Sequence, residues 1–211
     1  MIRTWMMDVS PLYDEEVYQK YYRTVPPFRQ KKADRIKTKE DQALSIGAWV
    51  LYQKALKQCR ETEQSVFNLS HSGNYALCTI ACEEKNVKAG CDIEKVKNFH
   101  EKIVQRYFCD SEKIYIFSGE TNEQKKEAFY RYWVLKESFA KATRYGMTIG
   151  LDSYEIKCTD ESAVLLRQPD HIKEKYYFHE YKLEIPYKAA VCSTSSNFAK
   201  KIETIDLNDE E

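Results

Sequence analysis

Gly90-Cys91-Asp92-Ile93-Glu94 and Trp133-Val134-Leu135-Lys136-Glu137-Ser138-Phe139-Ala140-Lys141 hold the residue types that can gather a divalent cation and a phosphate. Ala89, Cys91 and Ile93 alternate with Gly90, Asp92 and Glu94, the period of a β-strand, so both carboxylates project from one face. In the second stretch Trp133, Glu137 and Lys141 recur every four residues, which on a helix makes one stripe with an apolar anchor, an acid and a base. Where strand and helix face each other, Asp92, Glu94 and Glu137 converge beside the Lys141 ammonium. Each pair also has a plainer reading. Asp-x-Glu occurs on solvated strands, and Glu four residues before Lys is an ordinary exposed helix pair contributing about 0.3–0.5 kcal/mol.

A third segment changes the balance. Phe67-Asn68-Leu69-Ser70-His71-Ser72-Gly73 ends a strand in hydroxyls, an imidazole and a glycine, donors that suit a phosphate. The basic run from Arg29 to Lys39 is a solvated helix face, a nucleic-acid patch or a grip on a multiply charged small molecule. Cys78 and Cys82 lie in an apolar strand pattern with no second pair at zinc spacing, and read as two small buried thiols.

The elements that must position these residues follow from periodicity. Ile2–Val9 reads as an opening strand, and Ser10-Pro11 starts a helix through about Tyr22. Helices follow after Pro26-Pro27 and over Lys39–Cys59, the latter with Leu44, Ala48, Leu51, Ala55 and Leu56 on its apolar stripe. Val66–Ser70, Tyr75–Cys82 and Val87–Glu94 read as strands, the last two joined as a hairpin through Glu83-Glu84-Lys85-Asn86. The pattern then restarts with helices at His100–Phe108, Ser111–Phe117 and Asn122–Thr143, and strands at Ser153–Cys158, Ala163–Arg167, Lys175–Ile185 and Lys188–Ser193. Each half runs from helices to an antiparallel sheet. The expectation is an α+β protein of two similar lobes, residues 1–97 and 98–200, with an acidic tail over 201–211 whose end, Asp206 to Glu211, frays.

Bulk composition excludes several classes. The 211 residues, 43% hydrophobic and with 16 Tyr, suffice for a packed core. A net charge of zero argues against a protein that coats nucleic acid, since backbone binding needs a broad cationic surface. No apolar run approaches the roughly 20 residues that span a bilayer. The N-terminus lacks a secretory pattern and the 7 cysteines are an odd number, so the expected place is the cytoplasm with reduced thiols.

Taken together, Gly90–Glu94, Trp133–Lys141 and Asn68–Ser72 resemble the Gly-x-Asp-x-Glu strand, the Trp-x-x-Lys-Glu-(Ser/Ala)-x-x-Lys helix and the Asn-x-Ser-His-Ser segment of the 4′-phosphopantetheinyl transferases. The resemblance is to the longer, monomeric type that activates peptide and polyketide synthetases, and the order of elements matches over nearly the whole chain. It implies two α+β lobes related by a pseudo-twofold, each with an antiparallel sheet packed by a long helix, and coenzyme A in the cleft between them. It further implies Mg²⁺ held by Asp92, Glu94 and Glu137. Transfer would go from coenzyme A to a serine of an apo acyl or peptidyl carrier protein, releasing 3′,5′-ADP. Glu137 would take the serine proton, directly or through a metal-bound water, while Lys141 stabilises the leaving group. By position, Arg29 and Lys32 fall where the family places cations for the 3′-phosphate, Ser45 where a hydroxyl contacts the nucleotide, and Ser70 and His71 where phosphate is also contacted. Lys136 takes a supporting role.

Three positions depart from the family pattern. The stretch Cys59–Ser65 lacks the Gly-Lys-Pro triplet usual upstream of the Ser-His-Ser strand, which removes one phosphate-contacting lysine. Val134 replaces a small polar residue and Cys91 an aliphatic one. Two rivals therefore stand beside the transferase: a non-catalytic binder of coenzyme A or carrier, and a metal-dependent phosphohydrolase. Asp92→Ala and Glu137→Ala are expected to abolish transfer and leave the fold intact, because removing one of several neighbouring acids relieves repulsion.

Overall fold

The computed structural model describes residues 1–62 and 65–208. Glu63, Gln64 and the last three residues of the acidic tail lie outside that range. The first sheet has the order β2–β3–β1–β9, from β1 (Ile2–Asp8), β2 (Phe67–Ser72), β3 (Tyr75–Ala81) and β9 (Glu203–Thr204). The second has the order β4–β8–β7, from β4 (Ala89–Lys95), β7 (Tyr177–Tyr181) and β8 (Tyr187–Ser193). β5 (Glu155–Cys158) and β6 (Ala163–Arg167) form a separate two-stranded ribbon. The helices are α1 (Glu15–Tyr22), α2 (Pro27–Asp34), α3 (Lys39–Cys59), α4 (Glu101–Tyr107), α5 (Asp110–Phe117) and α6 (Asn122–Ala142).

The architecture is α+β, and it repeats. A helix of 21 residues covers each main sheet, α3 in the first half and α6 in the second. Thr38 starts α3, its hydroxyl accepting the Asp41 N–H, and Thr121 with Gln124 forms a capping box at α6. Strand alternation then divides the side chains between cores. Trp5, Met7, Cys78 and Ile80 pack under α3, whereas Ile2, Leu77, Cys91, Ile93 and Val191 form a separate core shared by strands of both sheets. Ala190 and Cys192 point the other way, to the α6 side. The sheets thus meet back to back, with a long helix outside each.

Three expectations are corrected. First, β3 and β4 form no hairpin. One edge of β3 is bonded to β1 and the other to β2, so β4 pairs instead with β8, Asp92 opposite Ala190 and Glu94 opposite Lys188. By strand pairing, residues 89–95 lie in the second sheet. Second, the expected helix from Ser10 to Tyr22 is a short 3₁₀ turn (Ser10–Tyr13) and then α1, because the Asp14 carboxylate caps a new helix by accepting from the N–H groups of Glu16 and Val17. Third, the chain is fastened to the first half as far as Leu207, inside the stretch expected to fray. β9 lies parallel to β1, Glu203 holds Arg3 through both carboxylate oxygens at 2.7 Å, and Ile205 and Leu207 are buried against the first core.

Candidate active site

β4 and α6 touch backbone to backbone at Gly90. A Cβ there would lie 2.3 Å from the Ala142 nitrogen and 2.4 Å from the Ser138 oxygen, so only glycine permits the approach. The contact sets the register of the site. The Lys141 ammonium donates to Asp92 Oδ1 at 2.6 Å and to Ser70 Oγ at 3.0 Å, and the Ser70 hydroxyl donates to the same Asp92 oxygen at 2.7 Å.

Ser70 is there because of the seam between the sheets. β2 and β4 are the facing edge strands, and three side chains of β2 stand in for the missing ladder. Asn68 Oδ1 accepts the Cys91 N–H at 3.0 Å, Ser70 Oγ the Ile93 N–H at 3.4 Å and Ser72 Oγ the Lys95 N–H at 3.2 Å. The period of two along β2 meets the period of two along β4. Ser72 also donates to Glu94 Oε2 at 2.6 Å, so the serines that join the halves also orient both strand carboxylates. From sequence alone Asn68 has no role and Ser72 only that of a phosphate donor; the alternation of both with Ser70 is the signal for this bridging.

The electrostatics follow from this crowding. Loss of hydration, and then the Asp92 charge, push the Glu94 and Glu137 carboxyls above the usual range. Burial works against the Lys141 charge, but Asp92, together with Cys91 and Glu137, outweighs it and holds the ammonium above its ordinary value. His71 stands beyond Ser70; partial desolvation, then the Lys141 and Lys32 ammoniums, lower its affinity for a proton. Lys32 is thus within electrostatic reach of the site. Arg29 stacks its guanidinium over Trp49 of α3 at 4.5 Å, and Ser45 lies one turn earlier on the same helix. No hydrogen bond or ion pair joins Arg29, Lys32 or Ser45 to the Asp92 cluster among the described residues.

Convergence of the three acids is incomplete. Among the described residues no group of three or more His, Cys, Asp or Glu side chains is placed to hold a metal. Lys141 and Ser70 engage one Asp92 oxygen, and Ser72 engages Glu94. Among the described residues, the buried polar atoms without a hydrogen-bond partner include Asp92 Oδ2, Ser45 Oγ and Arg29 Nε. An unpaired buried polar atom costs about 1–3 kcal/mol, and these three fit a cation at Asp92 and an anionic or hydroxyl-rich ligand near Ser45 and Arg29.

Lys136 is structural. It is fully buried, donating to Leu151 O at 2.8 Å and Tyr154 O at 3.0 Å and pairing with buried Glu112 at 2.9 Å. Glu112 also accepts the N–H groups of Cys109 and Ile156. One buried ion pair therefore ties α5, α6 and the start of β5 together.

The 4′-phosphopantetheinyl transferase superfamily model matches residues 88–194, which include β4, α6 and β8. The chain belongs to the 4′-phosphopantetheinyl transferase superfamily. It is similar to the 4′-phosphopantetheinyl transferase Sfp of Bacillus subtilis (strain 168), 26% identical over 94% of this chain and 95% of that one. A second 4′-phosphopantetheinyl transferase of Bacillus subtilis is 33% identical over 65% of this chain and 58% of its own length. Among solved structures, the holo-[acyl-carrier-protein] synthase of Thermotoga maritima matches half of the chain (50%) and 61% of its own, with a TM-score of 0.43 and 20% identity. The match to Sfp runs over nearly the whole length of both chains. Among the described residues no helix is long and apolar enough to cross a membrane.

Proposed function

We propose that this superfamily member moves the 4′-phosphopantetheine group of coenzyme A onto a serine of an apo acyl or peptidyl carrier protein and releases 3′,5′-ADP. The observation that carries the reading is the Lys141–Asp92–Ser70 cluster at the seam, with Asp92 Oδ2 buried and open beside it. Asp92, Glu94 and Glu137 are the residues that would hold Mg²⁺. When bound, the ion offsets charge on the pyrophosphate as its anhydride bond breaks.

The chain's own groups account for the rest. Glu137, whose carboxyl is raised by desolvation and by Asp92, suits the removal of a proton from the serine hydroxyl. That oxygen attacks the pantetheine-bearing phosphorus, and the bond to the second phosphate breaks. Lys141, kept charged by Asp92, stabilises the negative charge gathering on the departing nucleotide. Arg29, on its aromatic platform, and Lys32 supply cations for the 3′-phosphate, with Ser45 turned to the nucleotide and Ser70 and His71 to the phosphates. The cytoplasm and a monomeric state are the corresponding setting.

Incubation with coenzyme A, Mg²⁺ and an apo carrier tests this. The expected result is a carrier whose mass rises by one phosphopantetheine on its serine, with equimolar 3′,5′-ADP. Unchanged mass across several different carriers overturns the reading.

A further inference from the structure

Arg144 carries the seam one step past Lys141. It stands just beyond the end of α6, its N–H donating to the Lys141 carbonyl at 3.2 Å, with a φ of 66° in the left-handed region that glycine fills most easily at a helix end. An arginine there holds a less favourable backbone. Its side chain is exposed, and among the described residues no carboxylate pairs with it; the guanidinium reaches the Phe67 carbonyl at 3.5 Å. A bond that long leaves most of its donors unused.

Charge is sorted along the seam. On β2, Ser72 holds Glu94, Ser70 holds Asp92 together with Lys141, and the Phe67 carbonyl holds Arg144. A strand advances about 3.4 Å per residue, so Arg144 meets β2 about 10 Å from the Ser70 bridge, on the side away from Glu94. Phe67 also leads to the cations of the first half. Its ring stacks on Tyr52 at 4.0 Å and meets Trp49 edge to face at 6.1 Å, and Trp49 carries the Arg29 guanidinium at 4.5 Å. Lys32 stands near Arg29, its ammonium disfavoured by burial and then by the Arg29 charge. Cations from both halves thus gather around one aromatic patch, and among the described residues no carboxylate pairs with any of the three.

From this arrangement we propose that Arg144 is a binding residue for the 3′-phosphate of coenzyme A, closing on it from the second half while Arg29 and Lys32 hold it from the first. The assignment rests on the coenzyme A reading above. Lys141 and the acids stand where the pyrophosphate is cleaved, so the cation farther along the seam meets the phosphate that takes no part in bond breaking. A guanidinium offers two parallel N–H donors to phosphate oxygens, a stronger and charge-assisted pair than the long bond to a neutral carbonyl that it would give up.

Calorimetry on the full chain with Mg²⁺, titrating coenzyme A and 3′-dephospho-coenzyme A, tests this. Arg144→Gly removes the guanidinium and suits the left-handed backbone, so its melting temperature should be no lower than that of the native chain. Its affinity for coenzyme A should fall at least about tenfold, the loss expected for a hydrogen bond to a charged group, with its affinity for 3′-dephospho-coenzyme A unchanged. Arg144→Lys, which keeps a charge, should lie between. Unchanged coenzyme A affinity in Arg144→Gly, with or without a lower melting temperature, makes Arg144 a pin for β2 and overturns the proposal; so does an equal loss for both ligands, which puts it on the pyrophosphate. Binding is read without a carrier, so a native chain that binds coenzyme A but modifies no carrier sinks the transfer reading and leaves this assignment standing.

Discussion

At the scale of single residues, Asp92 does more than offer oxygens to a cation. Its side chain is 4% exposed and is the counter-ion of Lys141, which retains 26%. Asp92→Ala should therefore cost stability as well as transfer. Alanine removes the partner of a largely desolvated ammonium, and the cost should approach 2–3 kcal/mol, under the about 3–5 kcal/mol of a fully buried pair because Lys141 still reaches water. Asp92→Asn keeps the shape and the Ser70 contact, so urea unfolding should place it between the native chain and the alanine variant. Both variants should lose carrier modification by at least about a hundredfold, the loss expected when a charge acting at the transition state is removed. Native stability in Asp92→Ala would show that Lys141 finds another partner.

At the scale of elements, the α6–β4 contact decides whether the acids and the lysine meet. Gly90→Ala forces a methyl against the Ser138 carbonyl and the Ala142 amide, backbone atoms that cannot rotate away. Overpacking of this kind costs about 1–3 kcal/mol, and here it also displaces Lys141 and Glu137 from Asp92. Carrier modification should fall more steeply than the melting temperature, and kcat more than KM for coenzyme A. Equal activity in the folded variant would mean that α6 need not lie so close. The Lys136–Glu112 pair keeps the other face of α6 in place, so the motif helix is positioned from both sides.

At the scale of the whole molecule, the two halves are joined by different means on different sides. Back to back they share apolar side chains; at the seam they share hydrogen bonds from Asn68, Ser70 and Ser72 to the β4 backbone. The terminal segment closes the first half, since the Ile205 N–H donates to Met6 O and the Tyr21 hydroxyl to Leu207 O. A chain ending at Lys200 loses burial of Ile205 and Leu207, about 3–6 kcal/mol by apolar area, together with the Arg3–Glu203 pair. Its urea midpoint should drop accordingly. An unchanged midpoint would mean that β9 and the residues after it add no stability.

The chemistry-bearing residues were legible in the chain because period is local. Alternation put Asp92 and Glu94 on one face, four-residue spacing put Glu137 and Lys141 on one stripe, and α3 spans the predicted Lys39–Cys59. Strand partners were not legible, because an apolar strand of seven residues carries no mark of which neighbour it will meet. Only the closed fold, with β1 and β2 on the two edges of β3, sent β4 to β8. The same closure made Ser70 the bridge between Asp92 and Lys141. The sequence by itself determined which groups could do the chemistry; the tertiary structure decided which of them touch, because contact depends on edge-to-edge distances that no local pattern encodes.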